Sequence, residues 1–301
     1  MTERRLRISA KPVRRNKQAN PKTKVFKKFD PLMTQCGLCG SRKIRFFYRD
    51  YKGLQIYKCT DCGIEFMNPQ YSDGHLEQYY STFTVDEPEW DEPLIYCHNY
   101  YLSLVERYSQ KGSILDIGSG NGYFLVAAKQ RGWSPTGYDV DRKTVASVSK
   151  RIGVRILSGD FTKLKWEPDS FDAVYMHQVI EHLKSPMPYF RVIQRVLRKN
   201  GVLFVAQPNI HALAARVKYG LEKLGLRKKN IGAYYGTDGH LWYYTPKTMR
   251  RLLESLGFEV LYMRSGHKAR AHQSALKRFL LRNLVEVVPW KSTFLVVARK
   301  V

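Results

Sequence analysis

Two rhythms of apolar and polar positions alternate along this chain. Short apolar runs at about 113–117, 134–139, 154–157, 172–177 and 201–207 have the length and branched residues of buried strands. The segments between them repeat apolar positions every three or four residues and predict helices, the clearest over 123–130. Strands alternating with helices predict an α/β fold with a parallel, doubly wound sheet. Two later apolar runs, 258–264 and 293–298, predict the last two strands. Residues 93–110 predict a helix that leads into the first strand.

Residues 1–30 do not share this pattern. They carry 11 Lys/Arg against 2 acids, with Pro12 and Pro21, and predict a disordered basic tail. The 301-residue chain has a formal net charge of +25, and residues 212–301 supply 18 Lys/Arg against 5 acids. Residues 31–211 are nearly balanced, at 22 against 19. The tail reads either as a solubilising segment or as an arm for RNA or an anionic membrane surface. No apolar run approaches the ~20 residues of a membrane span and no signal-peptide core is present, so the expectation is a soluble cytoplasmic protein.

Between the fifth and sixth strands lies an insertion, 209–245, that reads as a lid over the substrate. It holds a basic, helix-like stretch over 212–229, a glycine-containing loop over 232–240 and Leu241-Trp-Tyr-Tyr244. A second basic amphipathic stretch covers 268–287. Both stretches read either as ordinary surface helices or as contacts for an anionic partner.

Cys36-Gly-Leu-Cys39 and Cys59-Thr-Asp-Cys62 form a C-x2-C-x19-C-x2-C array, the spacing of a four-thiolate zinc site. Gly40 and Gly63 follow the pairs as in knuckle turns, and the stretch between has hairpin character. A small zinc ribbon over 31–70 is expected, then a linker and helical lead-in over 71–110, then the main domain over 111–301. Disulfides are the competing reading, opposed by the paired spacing and by a reducing compartment. Cys97 reads as a small buried residue rather than a nucleophile.

The chemistry concentrates in Ser113-Ile-Leu-Asp-Ile-Gly-Ser-Gly-Asn-Gly122, where a strand meets a helix through three glycines at spacing two. Such a turn lets a nucleotide-like ligand approach the backbone at a helix N-terminus. The dinucleotide fingerprint would place a third glycine where Tyr123 stands. Asp139, ending the next strand, suits a ribose diol.

These residues resemble the class I S-adenosylmethionine-dependent methyltransferases. Asp116-x-Gly118-x-Gly120-x-Gly122 is similar to their first motif, Asp139 falls at their ribose-binding acid, and Gly159-Asp160-Phe161 resembles their adenine-contacting loop. Residues 170–182 and 196–205 resemble the fourth-strand and fifth-strand motifs. The resemblance implies a seven-stranded Rossmann-like sheet with the final strand inserted antiparallel. It implies S-adenosylmethionine held by Asp116, Gly118, Gly120, Gly122, Asp139, Asp160, Phe161 and main-chain atoms near His177.

In that frame His182 is the candidate general base and His240 the second candidate. Glu181 and His182 match the similar loop of quinone O-methyltransferases, but Gln178 replaces a further glutamate thought to help hold a divalent ion there. No Asn/Asp-Pro-Pro-aromatic motif follows the fourth strand, which weighs against methylation of exocyclic base amines. The expectation is methylation at oxygen of a small-molecule, glycan or lipid-linked acceptor. RNA methylation is the alternative, and a non-catalytic assembly or binding factor the third reading.

Overall fold

The computed structural model describes residues 27–50, 53–81, 92–226, 239–266 and 292–301. The expected tail up to residue 26, most of the 232–240 loop and the 268–287 stretch lie outside the described residues.

An N-terminal meander of β1 (Ile44–Arg49), β2 (Gln55–Cys59) and β3 (Glu65–Met67) is followed by α1 (Asp73–Ser81) and α2 (Glu92–Val105). The main domain follows as β4 (Ser113–Ile117), α3 (Tyr123–Gln130), β5 (Ser134–Tyr138), α4 (Arg142–Ile152), β6 (Ile156–Leu157) and β7 (Phe171–His177). A 3-10 turn (Ile180–His182), α5 (Pro186–Val196), β8 (Leu197–Pro208) and α6 (Leu213–Lys223) come next. The chain ends with β9 (Trp242–Tyr243), α7 (Pro246–Ser255), β10 (Phe258–Gly266) and β11 (Thr293–Lys300).

Seven strands form the main sheet in the order β10-β11-β8-β7-β4-β5-β6. Strands β4 to β8 run parallel, and β11 is antiparallel to both neighbours, so the expected Rossmann-like sheet with an inverted last strand is present. The central strands are apolar on both faces because helices cover both. Leu115, Val174 and Leu203 join one core cluster, while Ile114, Ala173, Tyr175 and Val202 face α2 and α3 in another. The strand order reverses at β4, which has β5 on one side and β7 on the other. Such a switch point leaves a crevice beyond the strands' carboxyl ends, where ligands bind in open α/β sheets.

The N-terminal meander does not stand alone. β9, from the insertion, pairs antiparallel with β3, setting Phe66 opposite Trp242 and Glu65 opposite Tyr243. An edge strand exposes unpaired backbone groups, and β9 covers that edge with two large aromatic residues. Trp242 is 1% exposed and its ring centroid lies 5.3 Å from that of Phe66. Its Nε1–H donates to the Leu183 carbonyl at 2.6 Å. A Cβ at Gly37 would lie 2.8 Å from the Trp242 ring, so this knuckle residue has no room for a side chain. Cys36, Ile56, Phe66 and Trp242 belong to the same core cluster as Ile117, Phe161 and Met176 of the main domain.

Trp242→Ala removes a large ring from this junction and should lower unfolding stability by about 3–5 kcal/mol. Chemical denaturation should show that loss in one transition for the meander and the main sheet. A loss under about 1 kcal/mol, or two separate transitions, would contradict the shared core.

Candidate active site and metal centre

The glycine turn between β4 and α3 stands at the switch point. Gly118 has φ 79°, and a Cβ there would fall 2.4 Å from Val179 Cγ2, so the loop after β7 packs directly on the turn. Gly120 has open space above it, and its N–H donates to Asp139 Oδ2 at 2.8 Å. Asp139 Oδ1 accepts from the Asp141 N–H at 3.0 Å. Asp139 therefore holds the turn in shape and stands at the end of β5, as the ribose reading requires. Gly122 is the N-cap of α3, with φ 78°. Asp116 is 2% exposed. Burial first, and then the charge of Asp139, push its carboxyl well above the usual range.

A cavity of about 90 Å³ opens on the turn, lined by His98, Asp116, Gly118, Ser119, Tyr123, Phe124, Tyr175 and His177. Asp116, Gly118 and His177 were expected here. Asp160 is exposed; its carboxylate accepts from Thr162 N at 3.0 Å and Thr162 Oγ1 at 2.7 Å, and pairs with Lys163 at 3.2 Å. The hydrogen bonds from Thr162 lower its pKa first of all. The Phe161 ring is fully buried, stacked on Tyr189 at 4.8 Å and against Tyr138 at 4.9 Å. Neither residue lines the cavity.

His98 was not anticipated. Its Nδ1 lies 2.9 Å from the Tyr175 hydroxyl and its ring 5.4 Å from that of His177. Burial, aided by His177, pulls it down to about 3, so the imidazole is neutral. The signal was available: on α2, His98 precedes Tyr101 and Leu102 by three and four positions, which places it on their buried face. Cys97 beside it packs against the same cluster but is only partly buried, short of the small buried residue expected.

The loop after β7 is strained at Gln178, whose φ of 58° lies in the left-handed region and whose N–H donates to the Ala206 carbonyl at 2.8 Å. The turn that follows buries Glu181, 1% exposed, with neither carboxylate oxygen hydrogen-bonded. Burial raises its pKa to about 8, so the carboxyl is neutral at pH 7. Its Oε1 lies 4.0 Å from His182 Nε2. His182 Nδ1 lies 3.0 Å from both the Gly239 carbonyl and the Tyr80 hydroxyl. A carbonyl only accepts, which assigns the proton to Nδ1 and leaves the lone pair on Nε2.

His240 lies against His182, ring centroids 4.7 Å apart. Burial first, and then His182, pull its pKa down to about 3. Burial likewise lowers His182, against the opposing hydrogen bond to Gly239. The Leu241 N–H donates to the Glu181 carbonyl at 2.8 Å, and the Met67 N–H donates to the Leu241 carbonyl at 2.9 Å. Strand β3, the 241–243 segment and the catalytic-loop candidate are thus sewn together by backbone bonds. The structure brings His182 and His240 together, and adds Tyr80 and Glu181 to them.

The four expected cysteines converge. Their Sγ atoms all lie within 4.8 Å of one another, with Cys36–Cys62 at 3.7 Å and Cys39–Cys59 at 3.6 Å. Four sulfurs bound about 2.3 Å from one tetrahedral ion sit about 3.8 Å apart, so the spacing fits a metal rather than disulfides. The two knuckles repeat one pattern: Gly40 N–H donates to the Cys36 carbonyl, and Gly63 N–H to that of Cys59. A hydrogen bond from Cys62 pulls Cys36 down to about 5, while burial pushes Cys39 up to about 11. Crowded thiols cannot all ionise without a cation to offset them.

The family described as a methyltransferase domain matches residues 95–263. The ubiquinone biosynthesis O-methyltransferase of Aeromonas salmonicida is 26% identical over 162 residues, 52% of this chain and 66% of that protein. The sterol 24-C-methyltransferase of Candida albicans is 24% identical over 175 residues, 56% of this chain and 45% of that protein. The chain thus spans just under two thirds of one curated relative and under half of the other. The crystal structure of an S-adenosylmethionine-dependent methyltransferase from Mesorhizobium loti superposes with a TM-score of 0.49 at 21% identity, covering 67% of this chain and 97% of that one.

Asp139→Ala leaves two backbone donors, Gly120 of the glycine turn and Asp141 at the start of α4, without their acceptor. It should cost about 1–3 kcal/mol of unfolding stability by calorimetry. A wild-type melting curve would remove Asp139 from the turn.

Proposed function

We propose that this chain, which belongs to the methyltransferase-domain family, is an S-adenosylmethionine-dependent methyltransferase with a structural zinc ion. The observation that carries this reading is the glycine turn at the sheet's switch point, tied to Asp139 and opening on a cavity walled by Asp116 and His177. Asp139 would accept hydroxyl protons of the donor's ribose, and Asp116 would face its cationic end. S-adenosylmethionine, when bound, supplies an electrophilic methyl carbon. The protein's own residues then have to align an acceptor and remove its proton.

His182 is the base in this reading. Its Nε2 keeps a lone pair, and its half-buried ring, held below its ordinary pKa by desolvation, stays neutral at pH 7. Glu181, neutral and 4.0 Å away, would offer no charge to hold an imidazolium in place, so the proton taken by Nε2 can pass on. His240 lies close enough to share the task. A proton-accepting cluster suits an acceptor hydroxyl, and we read the acceptor as a small molecule or a glycan- or lipid-linked intermediate methylated at oxygen. One relative named as an O-methyltransferase supports oxygen; the relative named as a 24-C-methyltransferase differs in acceptor atom. Cys36, Cys39, Cys59 and Cys62 would hold Zn2+ with no open position, which makes the ion structural.

The test is transfer of a labelled methyl group to small-molecule, lipid-linked and RNA fractions, with His182→Ala alongside the wild type. The variant should lose about 10²–10⁴-fold in turnover while binding the donor normally. Because burial holds His182 below its ordinary 6.5, the base form persists as pH falls through that value. The acid limb of turnover should therefore lie below pH 6.5, and a limb above about 7 would reject the assignment. Glu181, His182 and His240 could also ligate a divalent ion, their ligand atoms lying within 4.8 Å of one another. Turnover lost to a chelator and restored by Mn2+, with the four-cysteine zinc content unchanged, would assign the cluster to a metal and displace His182 as base.

A further inference from the structure

Nine large apolar side chains are exposed among the described residues, and five of them lie on α6 or just past its end: Leu213, Val217, Leu221, Leu224 and Leu226. At about 100° per residue, the first four fall within an arc of roughly 80° on the helix. Tyr219 points the opposite way, stacking on Phe47 at 6.4 Å and meeting Tyr48 edge-on at 5.3 Å. One face of α6 is thus seated on β1, and the leucine stripe is turned outward. Val217 is 53% exposed and Leu224 70%.

Cations bracket the stripe. Arg216 and Lys218 fall about a quarter-turn to either side of it, as the helical period requires. Lys223, exposed at the C-terminal end, lies over the Tyr219 ring at 4.9 Å. The sequence continues as Arg227-Lys-Lys229, giving 6 Lys/Arg over residues 213–229 against the single acid Glu222.

We propose that this face of α6 docks the protein on an anionic lipid bilayer. The leucine stripe enters the boundary between headgroups and acyl chains, and the flanking cations meet lipid phosphates. RNA would satisfy the cations and leave the leucines in water. A second copy of the chain would cover the leucines and bring like charges together. An anionic membrane matches both features at once. α6 belongs to the same insertion as His240, and a protein docked through it would favour a membrane-borne acceptor; that step rests on the methyltransferase reading, whereas the docking itself does not.

The test is flotation of the full-length protein with vesicles of phosphatidylcholine alone and of phosphatidylcholine mixed with phosphatidylglycerol. The wild type should float with the mixed vesicles and lose binding as salt is raised. Leu221→Glu/Leu224→Glu should lower partitioning by about ten-fold or more, and Arg216→Glu/Lys218→Glu should lower it on anionic vesicles specifically, with folded circular dichroism spectra throughout. A wild type that fails to float, or a leucine variant that floats normally, overturns the proposal. So does self-association without lipid that the leucine variant abolishes, or RNA binding lost only in the Arg216/Lys218 variant with no vesicle binding. Donor calorimetry on the same samples keeps the two readings apart, since absent donor binding would undo the methyltransferase reading and leave docking intact.

Discussion

The burial of Trp242 is the constraint on which the rest of the structure depends. One side chain closes the knuckle at Gly37, packs on Phe66 and donates to the Leu183 carbonyl beside the histidine cluster. The backbone around it does the same by hydrogen bonds, with Leu241 linking Met67 on one side to Glu181 on the other. A four-cysteine module of this size has little core of its own and needs a metal or a neighbour. Here it has both prospects, because its sheet is finished by a strand from residues 242–243. The module is thereby tied by backbone bonds, through Leu241, to the turn that carries Glu181 and His182.

Two chemically different regions meet where Val179 of the loop after β7 packs on Gly118. The proposed donor side is built from backbone geometry: a left-handed glycine turn held by Asp139 at the point where strand order reverses. The proposed acceptor side is built from buried and half-buried titratable groups whose charges desolvation suppresses. His240 is neutral, His182 is pulled the same way, and Glu181 keeps its proton. An imidazole made neutral in this way is free to accept a proton at neutral pH, and the imidazolium it becomes, poorly solvated there, gives that proton up readily.

The sheet was legible because its strands are buried on both faces and read as continuous apolar runs such as 113–117 and 201–207. The glycine turn and the cysteine array were legible because each is a local pattern with a chemical reason for its spacing. What was missed depends on distant pairings. Trp242 and Tyr243 read as an aromatic stretch of an insertion, and only the register Phe66 to Trp242 makes them a fourth strand of the meander. Tyr80 reaches His182 across 102 residues of sequence. His98 sat on a recognisable buried helix face, yet the cavity it lines is assembled from three other elements. Phe161 shows the converse: its motif position suggested a ligand contact, while the surrounding aromatic rings take its whole surface.

If residues 241–243 carry the link, the cysteine module holds the histidine cluster in place. Amide hydrogen exchange, measured on reduced metal-loaded protein before and after chelation, tests it most directly. Protection should be lost together at Met67, Leu241 and His182, whose N–H groups form these backbone bonds, while Leu115 and Val174 in the main sheet keep theirs. Unchanged protection at Leu241 and His182 after the metal is removed would contradict it.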